Sequence, residues 1–248
     1  MTAALILAGT RRGGDPLAEA HGVSHKSLIE IGGRPMLERV ISGVSEAGIA
    51  RIAVSTDDAQ VAQIAEAMGA QILAPRPGPS ESVAAAIDVL GTPLVVTTSD
   101  HALLQAQWVR ELLADAPAHI DVGIMLARRD QIETAMPGTR RTYLSFADGG
   151  WSGCNLFLLQ TGKAAAAIDT WRMVEADRKR PWRIAARLGP TTLLAVLLRR
   201  LTLAEGIARL GRRIGIEAAL IPARDGLAAV DVDKEADLMA VRRLLEAG

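Results

Sequence analysis

The stretch "PLVVTTSD", Pro93–Asp100, is a short apolar run that ends on an acid. It is strand-length and β-branched, and it lacks the alternation of a sheet with one wet face. It therefore reads as a strand buried on both sides. The same pattern recurs in "AALILAG" (Ala3–Gly9), "RIAVST" (Arg51–Thr56) and "AQILAP" (Ala70–Pro75). Between these runs lie helical patterns. One opens at Pro35, a residue suited to a first helical turn, and stops at Gly48. A second, capped by Thr56 or Asp57, ends at Gly69, and a third, "SESVAAAIDVLG", begins at Ser80 with a serine cap. Strand–helix–strand repetition implies right-handed crossovers. The expected fold class is α/β, a doubly wound, mainly parallel (mixed) sheet with helices on both faces.

The rest of the chain is less regular. "IDVGIMLAR" (Ile120–Arg128), "TYLSF" (Thr142–Phe146) and "LFLLQ" (Leu156–Gln160) read as strands, with "GGWSGCN" (Gly149–Asn155) as a turn. Residues 171–213 read as helical and include "TLAE", Thr202–Glu205, at capping-box spacing. "IEAALIP" (Ile216–Pro222) and "AAVDVD" (Ala228–Asp233) read as strands, before a closing amphipathic helix. With no evident linker or repeat, 1–248 is expected to form one domain, with 171–213 a basic helical insertion.

Composition narrows the function. Apolar residues are 49% of the chain against 23% charged, enough for a core and far from a disordered signature. Aromatics are 3% and basic and acidic residues balance at 28 each, which argues against nucleic acid as a partner. Cys154 is the single cysteine, so no internal disulfide and no cysteine-based zinc site can form. The apolar start of the chain is short and precedes its arginines, unlike a signal peptide. The run Leu193–Leu198 falls far short of the ~20 residues of a membrane helix. The expectation is a soluble, cytoplasmic protein.

In an open parallel sheet, ligands bind beyond the carboxyl ends of the strands. The loop after the first strand carries glycines with Arg11, Arg12 and Lys26, residues that bring backbone amides and positive charge to phosphates. It contains neither GxxxxGK[ST] nor GxGxxG. An ordinary polar loop is the plain alternative. Asp100 at its strand end reads as a helix cap or a metal ligand, and Asp233 likewise. His101 reads as a solvent-facing helix-entry residue or a phosphate or acceptor contact. Asn155 reads as a turn residue or a hydrogen-bonding contact to a hydroxylated acceptor.

Four blocks in order resemble the MobA-like NTP transferase family, nucleotidyltransferases related to molybdenum-cofactor guanylyltransferase and to the cytidylyl- and sugar-phosphate nucleotidylyltransferases. They are Leu7-Ala8-Gly9 with Arg11 or Arg12, Lys26 and "IGGRPMLERVI" (Ile31–Ile41); "PGPSESVAAAI" (Pro77–Ile87); "TTSDHALL" (Thr97–Leu104); and "DVDKEADL" (Asp231–Leu238). The chain departs from the family at Thr10, where a second glycine is usual. It departs again in a longer loop to Lys26, in His25 where proline is customary, and at Lys234-Glu235, where Thr-Pro is common.

The resemblance implies a Rossmann-like nucleotide-diphosphosugar transferase fold. It also implies Mg²⁺-dependent transfer of a nucleoside monophosphate from an NTP, CTP or GTP before ATP, to a phosphate-bearing acceptor. It assigns Lys26, Arg11, Arg12 and Asp100 to catalysis, and Leu7, Ala8, Gly9, Thr10, Pro79, Ser80 and Ser82 to the nucleotide. Asp100 with Asp233 or Asp231 would hold magnesium, and His101, Gly153 and Asn155 would meet the acceptor. A nucleotide-sugar glycosyltransferase and a non-catalytic nucleotide binder are the rival readings. Pyrophosphate release from NTPs separates the first, and NTP binding without turnover the second.

Residues 171–213 carry 11 basic and 3 acidic residues. A solvated helix face is the plain reading. The alternative is that 178–200 holds an amphiphilic or phosphorylated acceptor, or rests on an anionic surface at the inner membrane face.

Overall fold

The computed structural model describes residues 1–10, 14–139, 141–168, 170 and 200–247. An eight-stranded mixed sheet forms the centre. β1 (Ala3–Leu7) pairs in parallel with β4 (Arg51–Ser55) on one side and β6 (Leu94–Thr98) on the other, and β4 pairs in parallel with β5 (Gln71–Leu73). The chain therefore winds outward from β1 to β5 and returns across it to β6. That reversal opens a crevice beyond the carboxyl ends of β1 and β6.

β9 (Gly149–Leu159) runs antiparallel between β6 and β7 (Val122–Arg128), β10 (Ala218–Pro222) closes that edge in parallel with β7, and β8 (Leu144–Phe146) hangs on β9. β2 (Glu30–Ile31) and β3 (Arg34–Pro35) form a separate small hairpin.

The apolar runs are continuous because both faces of the sheet are covered. Ala4 and Ile6 face one layer with Leu37, Val40, Val61 and Leu112, whereas Ala3 and Leu5 face Val83, Ala86 and Leu90 on the other. The first layer is α2 (Met36–Glu46), α3 (Ala59–Ala67) and α5 (Ala106–Asp115), and the second includes α4 (Pro79–Leu90). Leu37 is fully buried, so trimming it to Ala should cost about 2–5 kcal/mol.

Several local expectations need correction. Asp58, not Thr56 or Asp57, caps α3, accepting from the Gln60 and Val61 amides. Gly78 caps α4 with Pro79 in its first turn, and Ser80 lies inside the helix. The glycine-rich "GGWSGCN" is no turn but the first half of β9, its extended form imposed by pairing with β7 and β8. "AAVDVD" is not a ladder strand. Gly226–Ala229 is a 3-10 turn, and the residues after it are held by a Val232 amide bond to the Asp100 carbonyl at 3.0 Å.

Three helices fall where no helical pattern was read. They are α1 (Pro16–Ala20), inside the long first loop, α5, and α6 (Arg129–Ala135). The Thr202–Glu205 capping box opens α7 (Leu203–Arg213), and α8 (Glu235–Ala247) closes the fold. The helix expected over 171–199 lies outside the described residues. Among the described residues no helix is long and apolar enough to cross a membrane.

Candidate active site

The turn after β1 opens a cleft of about 690 Å³ at the sheet's reversal point. Leu7, Ala8, Gly9 and Thr10 form one wall, the 75–79 loop with Ser82 another, and Thr98–Asp100, His25 and Lys26 its floor. Ser82 organises its own wall, since its hydroxyl accepts from the Arg76 amide at 2.9 Å and donates to the Gly78 carbonyl at 3.1 Å.

His25, in the place of the customary proline, builds the turn that presents the lysine. Its Nδ1 accepts from the Ser27 amide at 3.1 Å and shares a 2.7 Å hydrogen bond with Ser27 Oγ. The next residue, Lys26, then places Nζ 2.6 Å from Asp100 Oδ2 and 3.0 Å from Asp233 Oδ1. Burial opposes the ammonium charge. The neighbouring charges of Asp100 and then Asp233, with their hydrogen bonds, outweigh it and raise the lysine's pKa. Burial likewise pushes the Asp100 carboxyl up, but the Lys26 charge and the Lys26 and Thr98 hydrogen bonds bring it below the usual carboxylate range. Both groups thus keep their charge at neutral pH.

The Val232–Asp100 backbone bond explains how two distant segments meet, and the two acids that flank Val232 take different partners. Asp233 reaches Lys26. Asp231 instead pairs with Arg141, Nη2 to Oδ1 at 2.8 Å, and accepts from Asn155 Nδ2 at 2.9 Å. Burial pushes the Asp231 carboxyl up against the pull of Arg141, and the charges of Asp100 and Asp233 add to the rise.

Asn155 has φ 50°, a left-handed conformation that Asn tolerates better than most residues. It sits in an irregularity of β9, where Ile124 pairs with Phe157 but Leu126 with Gly153. Such bulges re-aim side chains beside functional sites. Gly226 lets the 3-10 turn that precedes the 231–233 segment lie against α6, because a Cβ there would stand 2.3 Å from the Gln131 carbonyl.

Of the residues expected at the nucleotide, Leu7, Ala8, Gly9, Thr10, Pro79 and Ser82 line the cleft with Lys26 and Asp100, while Ser80 is buried behind it. Asp233 joins through Lys26. Asp231 and Asn155 join each other beside the cleft, and Gly153 is exposed on β9. His101 does not line the cleft. It stacks on Trp108 with ring centroids 5.7 Å apart, and burial lowers its pKa to about 4, so it is neutral. Burial pushes the Cys154 thiol up, away from nucleophilic thiolate chemistry. Arg11 and Arg12 lie outside the described residues, as does all of 178–200 but Arg200.

Three residues of the site escaped the sequence reading. Asp57 lines the cleft, and its Oδ1 accepts from the Thr10 amide at 3.1 Å and hydroxyl at 2.8 Å. Burial pushes its carboxyl up, but these bonds outweigh it and lower the pKa. Two adjacent acids where a helix needs one cap were the available signal. Arg76 lines the cleft from a proline-rich loop. Arg141 had no local signal. Among the described residues no group of three or more His, Cys, Asp or Glu side chains could by itself hold a metal ion.

Residues 4–210 match the family model described as the MobA-like NTP transferase domain. A 106-residue stretch is 27% identical to 3-deoxy-manno-octulosonate cytidylyltransferase of Coxiella burnetii, covering 40% of this chain and 43% of that protein. The chain thus matches less than half the length of this curated relative. A hypothetical transferase from Thermus thermophilus superposes with a TM-score of 0.82 at 32% identity, over 96% of this chain and 100% of that one. The structure of CMP:2-keto-3-deoxy-manno-octonic acid synthetase complexed with CTP shares the fold, with a TM-score of 0.60 and 18% identity over 99% and 98% of the two chains.

Proposed function

We propose that this chain, which belongs to the MobA-like NTP transferase domain family, moves a nucleoside monophosphate from an NTP to a phosphate-bearing acceptor and releases pyrophosphate. The observation that carries the reading is Lys26, held between Asp100 and Asp233 at the floor of a cleft that begins with Leu7–Thr10. The partial likeness to a cytidylyltransferase supports CTP as the donor, ahead of GTP.

An acceptor phosphate oxygen attacks the α-phosphorus. The bond from that phosphorus to the bridging oxygen of the β-phosphate breaks, and pyrophosphate leaves with the electron pair. The residues supply positioning and charge rather than covalent chemistry. Lys26 is the cation for the departing phosphates, and the carboxylates that hold it keep it charged until they arrive. The Thr10–Asp57 contact fixes the start of the phosphate loop. Asn155, oriented by Asp231, offers its amide to the acceptor.

The donor set suits magnesium. Asp100 and Asp233 are hard oxygen donors already gathered on one cation, and Mg²⁺ takes one or two carboxylates with phosphates and waters completing its shell. When bound there it would neutralise charge on the phosphates.

The test is pyrophosphate release from each of the four NTPs, with and without Mg²⁺, over a panel of sugar and polyol phosphates, using wild type and Asp100→Asn. Turnover with CTP that vanishes in the variant is expected. Unchanged turnover in Asp100→Asn, or consumption of a nucleotide sugar without pyrophosphate, would overturn the reading.

A further inference from the structure

We propose that the arginine-walled pocket between α2 and the start of α5 is a second binding site, for a small phosphate-bearing anion, separate from the nucleotide cleft. The pocket measures about 450 Å³, and among the described residues Arg34, Arg39 and Arg110 stand in its wall with Glu46 as the one acid. That volume lies in the usual ligand-pocket range of about 300–1,000 Å³. Among the described residues none of its lining residues lines the cleft.

The three guanidiniums outnumber the acids around them, Glu46 in the wall and Glu38 beside Arg34. Arg39 donates from Nε and Nη2 to the Ile31 carbonyl at 2.9 and 2.6 Å, and Arg110 Nη1 donates to the Glu46 carbonyl at 2.9 Å. These bonds orient the guanidiniums without neutralising them, and among the described residues neither pairs with a carboxylate. Arg34 donates to Ser42 Oγ at 2.9 Å and lies 3.5 Å from Glu38, a half-exposed contact of little strength. Burial first, and then the like charge of Arg34, depress the Arg39 pKa. Each retains free N–H donors, and the planar fork matches phosphate oxygens.

The pocket is also structurally tied to the cleft. Its wall includes Ala102–Leu104, the segment that follows Asp100 and His101. That segment is locked to α2, since a Cβ on Gly43 would stand 2.7 Å from the Leu104 carbonyl.

Isothermal titration with inorganic phosphate and with glucose 1-phosphate, without nucleotide, tests the site in three proteins: wild type, Lys26→Met and Arg34→Gln/Arg110→Gln. Saturable binding is expected in wild type and Lys26→Met. The double variant should bind roughly a hundredfold more weakly, about tenfold for each charge-assisted hydrogen bond removed. Should it fold poorly, Arg110→Gln alone should still give the tenfold loss. Tighter binding of the sugar phosphate marks a phosphorylated metabolite as occupant, and equal binding marks phosphate itself. The proposal is overturned if neither anion saturates wild type, if a Lys26→Met protein that still melts cooperatively above the assay temperature does not bind, or if the arginine variants bind as wild type does.

Discussion

Lys26 Nζ and Asp100 Oδ2 stand 2.6 Å apart with side chains 9% and 11% exposed, a buried ion pair that joins the first loop to the end of β6. Stranding one member of such a pair typically costs about 3–5 kcal/mol, so Lys26→Met should be clearly destabilised in urea unfolding. Its kcat/KM for pyrophosphate release should fall about 10²–10³-fold, the scale of one missing electrostatic stabiliser. Asp100→Asn, which keeps the shape and leaves Lys26 its Asp233 partner, should lose turnover with a smaller stability loss. A Lys26→Met protein with native stability and turnover would refute both roles.

Asn155 gives a two-variant test of the bulge. Asn155→Gly keeps the left-handed backbone and removes the amide, so the acceptor KM should rise while stability falls by about 1–3 kcal/mol, the lost hydrogen bond to Asp231. Asn155→Ala removes the same amide and adds backbone strain of about 1–3 kcal/mol. Equal stability of the two variants would remove the conformational argument.

Thr10 and Asp57 should act on the nucleotide. Thr10→Gly, which restores the family's usual residue but loses the hydroxyl bond to Asp57, is expected to raise the NTP KM about threefold to tenfold with kcat nearly unchanged, one modest hydrogen bond's worth. Thr10→Ser should behave as wild type. A Thr10→Gly defect confined to kcat would contradict the positioning role.

His101 predicts a pH dependence. Its folded pKa is lowered to about 4 by burial, so the unfolded chain takes up a proton below about pH 6.5 that the folded chain refuses. The His101 contribution to stability should therefore fall as pH drops from about 6.5 to 4, by at most about 3 kcal/mol, and level off below, where the depressed carboxyls of Asp100 and Asp57 take over the loss. His25 is depressed in the same sense, whereas the raised carboxyl of Asp231 works against the trend. His101→Phe keeps a ring against Trp108 and isolates one contribution. Its unfolding midpoint should fall less steeply than wild type over that interval, and parallel curves would refute the assignment.

What the sequence determined was local and periodic. Continuous apolar runs marked the buried strands of the parallel half. An acid at the end of one of them, with glycines and a lysine after another, marked where chemistry could gather. The family's ordered blocks named that place. Residues between Gly149 and Asn155 misled because glycine and asparagine favour turns, yet pairing with β7 and β8 outweighs that preference and makes a long strand.

Only the tertiary structure divided Asp231 from Asp233, because the choice depends on which distant cation each carboxylate reaches, Arg141 or Lys26. It turned His101 into the core against Trp108, and it brought Arg141 to Asp231. Those outcomes rest on packing between residues far apart in the chain, a relation that no local pattern of polarity encodes.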